Sequence, residues 1–203
     1  WKKNVSILTK AGVYEPKNEH SNCGVGLVAA IDGKAKRSVV DAGITALKAL
    51  WHRGAVDADG KTGDGAGLQV SFPQEFFKDY IKSLGVKPSK QNIAVGMFFL
   101  PRTINNQENC RTIVEKEIIN TGNKIYCWRS VPINLKALGK KANETRPEIE
   151  QIFIENSRNL NEEEFEKELF ILRRKIEKKI PPDSNKDFYI CSLSSKSIVY
   201  KGM

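Results

Sequence analysis

The chain contains no long apolar run. None approaches the roughly 18–20 residues needed to cross a bilayer, so no membrane span is expected. Its opening, Trp1-Lys2-Lys3-Asn4-Val5-Ser6, lacks the apolar centre and small-residue cleavage site of a secretory signal. There are only two histidines and four cysteines, Cys23, Cys110, Cys127 and Cys191, and no two cysteines stand in a Cys-x-x-Cys pair. That scarcity argues against a zinc or iron–sulfur site built from this segment alone. No internal repeat, low-complexity tract or clear interdomain linker is present. An initiator Met is missing too, and the sequence stops at Gly202-Met203 directly after a predicted strand. Both ends are therefore expected to be cut edges of a longer polypeptide.

What is present fits a soluble globular protein. Apolar residues make up 40 % and charged residues 28 % of 203 positions, enough for one domain with a real core, or one domain plus a tail. The net charge of +9 raises the question of nucleic acid. The excess Lys and Arg are spread along the chain, with small pockets at Lys34-Ala35-Lys36-Arg37, Arg173-Arg174-Lys175 and Lys178-Lys179, and no recognition motif accompanies them. They read as a solvated basic surface. Cys110, Cys127 and Cys191 each lie in a partly apolar stretch and read as reduced core or near-surface thiols of a cytoplasmic protein.

Residues 1–22 are polar and irregular and read as a leader. From Cys23 the chain turns into Gly-Val-Gly-Leu-Val-Ala-Ala-Ile, closed by Asp32-Gly33, which predicts a buried strand. Residues 38–51 place Val39, Val40, Ile44, Leu47, Leu50 and Trp51 at helical spacing. A Gly- and Asp-rich loop over 54–67 leads to a second strand, Leu68–Phe72, ended by Pro73, and a short helix, Gln74–Leu84, closed by Gly85. Strands are predicted at Ile93–Leu100, Lys124–Val131 and Ile149–Glu155, with a helix at Thr103–Asn120. The clearest helix is Asn161–Lys179. Asn161 and Glu164 stand at capping-box spacing, Phe165, Leu169, Leu172 and Ile176 share a face, and Pro181-Pro182 stop it. Phe188–Leu193 and Ser197–Tyr200 resemble a hairpin. The pattern is that of an α+β sandwich.

Three motifs are look-alikes. Gly24-Val25-Gly26-Leu27-Val28-Ala29 has dinucleotide-fingerprint spacing, but polar residues precede it and strand-like ones follow. Gly60-Lys61-Thr62 mimics the end of a phosphate-binding loop, yet the required earlier glycine falls on Ala55. Asp57, Asp59 and Asp64 suggest calcium, without the glutamate that closes such a loop. What remains is a combination. Cys23 begins a glycine-flanked strand after a leader, a helix ends in Trp51-His52-Arg53-Gly54-Ala55, and a loop runs from Asp59 to Gly67. Small neighbours let a substrate approach a thiol, and a nearby Arg favours thiolate. A lone cysteine is more often a buried small apolar residue, so the surrounding pattern carries the case.

Tyr14-Glu15-Pro16, Glu19-His20, Cys23-Gly24-Val25-Gly26, His52-Arg53-Gly54-Ala55 and Thr62-Gly63-Asp64-Gly65-Ala66-Gly67 closely resemble the start of the glutamate synthase large subunit. Phe188–Ser195 and Ile198–Gly202 extend the resemblance over essentially the whole chain. The resemblance implies a class II glutamine amidotransferase domain of the N-terminal-nucleophile type, a four-layer αββα sandwich, here incomplete at its C-terminal end. It implies that residues 1–22 are removed, leaving 23–203 as the first part of that domain with Cys23 as nucleophile and its own α-amine as base. Arg53 would lie beside the thiol, with Thr62, Gly63 and Asp64 in a loop near the site. For His52 a structural helix-end role is at least as good a reading as a catalytic one. For the complete protein, an oxidoreductase of ammonia assimilation, the resemblance implies FMN, an iron–sulfur cluster, a downstream synthase domain using 2-oxoglutarate, and a small electron-donating subunit.

The family's glutamine-carboxylate arginine and Asn-Gly oxyanion pair have no counterpart here, since neither a Ser-Arg-Phe-Ser-Thr nor a His-Asn-Gly segment occurs. The segment alone is therefore expected to be inactive. Two other readings stay open: a sandwich module without chemistry, and an amidotransferase domain serving another acceptor.

Overall fold

The computed structural model describes residues 6, 7, 9, 24–50, 56–181 and 187–202. Helix α1 (Arg37–Ala49) leads through a loop to strand β1 (Ala66–Ser71) and helix α2 (Gln74–Ser83). Then come β2 (Ile93–Leu100), α3 (Ile104–Asn120), β3 (Lys124–Ser130), a 3₁₀ turn (Leu135–Ala137), α4 (Lys140–Thr145) and β4 (Glu148–Glu155). Helix α5 (Glu162–Lys179), β5 (Tyr189–Ser194) and β6 (Ser197–Gly202) complete the order.

A four-stranded antiparallel sheet has the order β3-β4-β2-β5, and a two-stranded antiparallel sheet pairs β1 with β6. The central strand β2 carries Ile-Ala-Val-Gly-Met-Phe-Phe-Leu with no polar residue, which suits a strand buried on both faces. Ala94, Phe98 and Leu100 enter a first core with Val114 and Ile118 of α3 and Phe165, Leu169, Leu172 and Ile176 of α5. Ile93, Val95 and Met97 point the other way, into a second core with Phe77 and Ile81 of α2, Phe72 and Ile198. The Phe77 ring sits 5.0 Å from that of Phe153 on β4 and 5.1 Å from that of Phe72, which links α2 to the sheet. On the far side, α1 packs on β1, where a side chain at Gly43 would already touch Leu68. Helices, sheet, sheet and helix thus form the four layers of an αββα sandwich.

The capping box opening α5 is complete. Asn161 Oδ1 accepts from the Glu164 nitrogen at 2.9 Å, and Glu164 Oε2 accepts from the Asn161 nitrogen at 3.3 Å. Two expectations need correction. Residues 24–30 form no strand, and Val25 and Leu27 are each 92 % exposed. An apolar run becomes a strand only when a neighbouring edge takes up its backbone groups, and no described strand does so. Nor do β5 and β6 form a hairpin, because β5 pairs with β2 and β6 with β1. Ser195 and Lys196 lack the Gly or Asn that a two-residue hairpin turn favours. The chain instead turns a corner between layers.

That corner is held by side chains. Ser194 Oγ accepts from the Lys196 nitrogen at 2.9 Å and the Ser197 nitrogen at 3.2 Å. From α5, Glu166 Oε1 accepts from the Ser195 nitrogen at 2.6 Å and from Ser195 Oγ at 2.7 Å, while Glu166 Oε2 accepts from Ser194 Oγ at 2.9 Å. Hydrogen bonds to a charged group are worth about 1.5–3 kcal/mol each, and losing such a partner exposes several donors at once. Glu166→Ala is expected to lower stability by about 2–4 kcal/mol and to speed amide exchange at Ser195 and Lys196. Urea unfolding and hydrogen exchange would read this. An unchanged midpoint would mean that strand pairing alone holds the corner.

Candidate active site

Cys23, Arg53 and His52 lie outside the described residues. Gly24, next to Cys23, and Leu50, before the segment that holds His52 and Arg53, are described. A Cβ on Gly24 would stand 2.8 Å from Leu50 Cδ1, so the residue after Cys23 packs against the end of α1, close in sequence to Arg53. Gly24 and Leu50 are thereby brought together.

The turn carrying Thr62, Gly63 and Asp64 is fully described. Val56 and Gly63 form an isolated antiparallel bridge, and the Asp57 nitrogen donates to the Thr62 carbonyl at 2.7 Å. The Gly60 nitrogen donates to the Asp57 carbonyl at 2.9 Å, and Gly60 itself has φ +68°, a left-handed conformation that glycine adopts without cost. Asp59 fills the turn from inside. Its Oδ1 accepts from the Lys61 nitrogen at 2.9 Å and the Thr62 nitrogen at 2.7 Å, and its Oδ2 accepts from Thr62 Oγ1 at 2.6 Å. These donors, the Thr62 hydroxyl foremost, hold the Asp59 carboxyl well below the usual carboxylate range.

Helix α4 supports the turn from the other side. Lys141 Nζ donates to Asp57 Oδ2 at 2.9 Å, which lowers the Asp57 carboxyl and raises the Lys141 ammonium. The Ala142 nitrogen points to Thr62 Oγ1 at 3.4 Å. Thr62, Gly63 and Asp64 together line an open cavity of about 360 Å³ with Asp57, Lys141 and Thr145. Beyond the turn the chain enters β1, whose first residue, Ala66, pairs with Gly202.

The sequence therefore pointed to one wall of this cavity and missed the other. Lys141, Ala142 and Thr145 belong to a short helix, capped by Gly139 and preceded by a 3₁₀ turn, and neither element is predicted from the sequence. The available signals were slight: Asn134, whose side chain accepts from the Lys136 nitrogen, and Arg146-Pro147, where proline discourages further helix. Asp57 and Asp59, superficially calcium-like, have separate structural tasks. Cys110 lies in the first core, whereas Cys127 and Cys191 pack in the second, where burial pushes both thiols up.

Comparison with known proteins fits this arrangement. The family of class-II glutamine amidotransferases matches residues 23–203, so the match opens on Cys23. The chain belongs to that family. Among similar proteins is the glutamate synthase (NADPH) large chain of Azospirillum brasilense, 58 % identical over 201 residues that cover 98 % of this chain and 13 % of the relative. The chloroplastic ferredoxin-dependent glutamate synthase of Oryza sativa subsp. japonica is 38 % identical over 195 residues, or 95 % of this chain and 12 % of the relative. The glutamate synthase (NADPH) large chain of Bacillus subtilis is 36 % identical over 193 residues, again 95 % of this chain and 13 % of the relative. The chain thus spans only a small part of the length of these relatives.

The depressed Asp59 carboxyl sets a pH window. Stability from a lowered carboxyl is present above its unfolded value, near about 3.9, and is lost as pH falls through the folded value. The Lys61 and Thr62 amide signals should hold steady from neutral pH down to about 4 and move only below it. A midpoint at an ordinary aspartate value in an NMR titration would show that the turn is not held by Asp59.

Proposed function

We propose that this chain is the glutamine-hydrolysing part of a glutamate synthase, releasing ammonia from glutamine through a thioester on Cys23. The observation that carries the reading is the family match opening at Cys23, together with the high identity to glutamate synthase large chains. In this reading residues 1–22 are a leader and Cys23 becomes the first residue. Its α-amine then has a pKa near about 8, against about 8.5 for a thiol, so a proton passes between them at little cost near neutrality. While Asn22 remains attached, the same nitrogen is an amide and cannot accept it.

The steps follow from that pair. The amine takes the thiol proton, and sulfur attacks the side-chain amide carbon of glutamine. The tetrahedral intermediate collapses as the amine returns the proton to the leaving nitrogen, giving ammonia and a thioester. Water, deprotonated by the same amine, attacks the thioester carbon, and glutamate leaves as the thiol is restored. Arg53 favours the thiolate, and the Thr62–Asp64 turn borders the site; contact of Gly24 with Leu50 supports the nearness of the two segments.

In the complete protein the ammonia would pass to a synthase domain and meet 2-oxoglutarate, with a small subunit as electron donor. The FMN and iron–sulfur cluster of that chemistry would be held by other parts of the protein. Among the described residues no group of three or more His, Cys, Asp or Glu side chains is placed to hold a metal ion, and the three described cysteines are divided between two cores. The same reading places the protein in the reducing cytoplasm.

N-terminal analysis of active enzyme should find Cys23 first, and an electrophile at neutral pH should label Cys23 ahead of the buried Cys110 and Cys191. Retention of Asn22 in fully active enzyme would overturn the role of the amine. Cys23→Ala in the full-length protein should abolish glutamine-dependent glutamate formation while sparing the ammonia-dependent reaction, which enters after the thiol has acted. Equal loss of both would make Cys23 a structural residue.

A further inference from the structure

Gly139 is a point of close approach between the site's turn and the chain leading into α4. Its backbone angles, φ −71° and ψ 166°, are open to any residue, so conformation does not require glycine there. Space does. A Cβ would lie 2.3 Å from Asp59 Oδ2, 2.3 Å from Thr62 Oγ1 and 2.7 Å from the Thr62 nitrogen. None of these is the loose end of a flexible side chain. The carboxylate and hydroxyl are bonded to each other at 2.6 Å, and the Thr62 nitrogen is main chain, itself bonded to Asp59 Oδ1 at 2.7 Å. Gly139 is buried, and the Asp57–Lys141 pair flanks the contact across 84 residues of sequence.

We propose that Asp59 and Gly139 form a latch that fixes the Thr62–Asp64 turn for glutamine, Asp59 being a positioning residue and the start of α4 the surface it closes on. The inference rests on the amidotransferase reading above. Both Asp59 oxygens are occupied within the turn, so Asp59 acts through Thr62 and its neighbours rather than on substrate. The absence of a side chain at residue 139 lets the turn seat directly on the backbone before α4. Adding one methyl group must lift the turn or shift the helix. Displacing a positioning element by about 1 Å can cost about 100-fold in rate.

The test uses the full-length holoenzyme with Gly139→Ala, Asp59→Ala and Asp59→Asn, and Cys23→Ala as control. Glutamine-dependent kcat and KM, ammonia-dependent turnover and the thermal midpoint are measured for each. Gly139→Ala and Asp59→Ala should lower kcat/KM for glutamine by about 10- to 100-fold, with ammonia-dependent turnover within about twofold of wild type. Asp59→Asn, which keeps the shape and one acceptor, should lose less. Unchanged kcat/KM in both Asp59 variants would overturn the latch, as would parallel loss of both activities with a lowered midpoint. If Gly139→Ala fails to fold, the Asp59 pair decides alone. Should Cys23→Ala keep glutamine-dependent turnover, the amidotransferase reading falls and the latch with it. A dead Cys23→Ala beside fully active latch variants removes the latch only.

Discussion

Burial of β2 on both faces is the constraint from which the remaining architecture follows. Its side chains supply the floor of one core and the ceiling of the other. Neither face tolerates water, so helices α3 and α5 must close one side and α2 with the β1–β6 layer the other. The strand's backbone is satisfied by β4 and β5 on its two edges. Removing either covering layer would expose a full face of apolar residues, so the layers stand or fall together.

The cores were legible because hydrophobic periodicity is a short-range signal. Ile93–Leu100 is read as a strand to the residue, and α5 announces itself through its cap, its apolar stripe and the prolines after it. The failures share one cause. Residues 24–31 have strand composition, but pairing depends on what lies alongside, which no local pattern encodes. Ser194 to Ser197 looks like a hairpin turn until Glu166, on a different element, is seen holding it as a corner.

The candidate site shows the same division. Thr62, Gly63 and Asp64 could be singled out as a loop through resemblance, and the structure places them on one cavity wall. The opposite wall comes from a stretch of polar residues with weak helical character, which follows Gly139, whose missing side chain lets the turn come close. A glycine chosen for close approach leaves no mark in the sequence beyond the letter itself. Only the neighbouring atoms reveal why it is there.

The pairing of β1 with β6 has a consequence for timing. Gln69 and Ser197, bonded side chain to side chain across that ladder, are 128 positions apart in the chain. Closing so long a loop is entropically costly and slow compared with forming the helices and the contiguous β2–β4 region. As the chain emerges from the ribosome, β1 has no described partner strand until Ser197–Gly202 has been made. The turn that leads into β1 therefore gains its anchored exit late. Completion of the cavity wall formed by Thr62, Gly63 and Asp64 is thereby tied to the synthesis of residues far downstream.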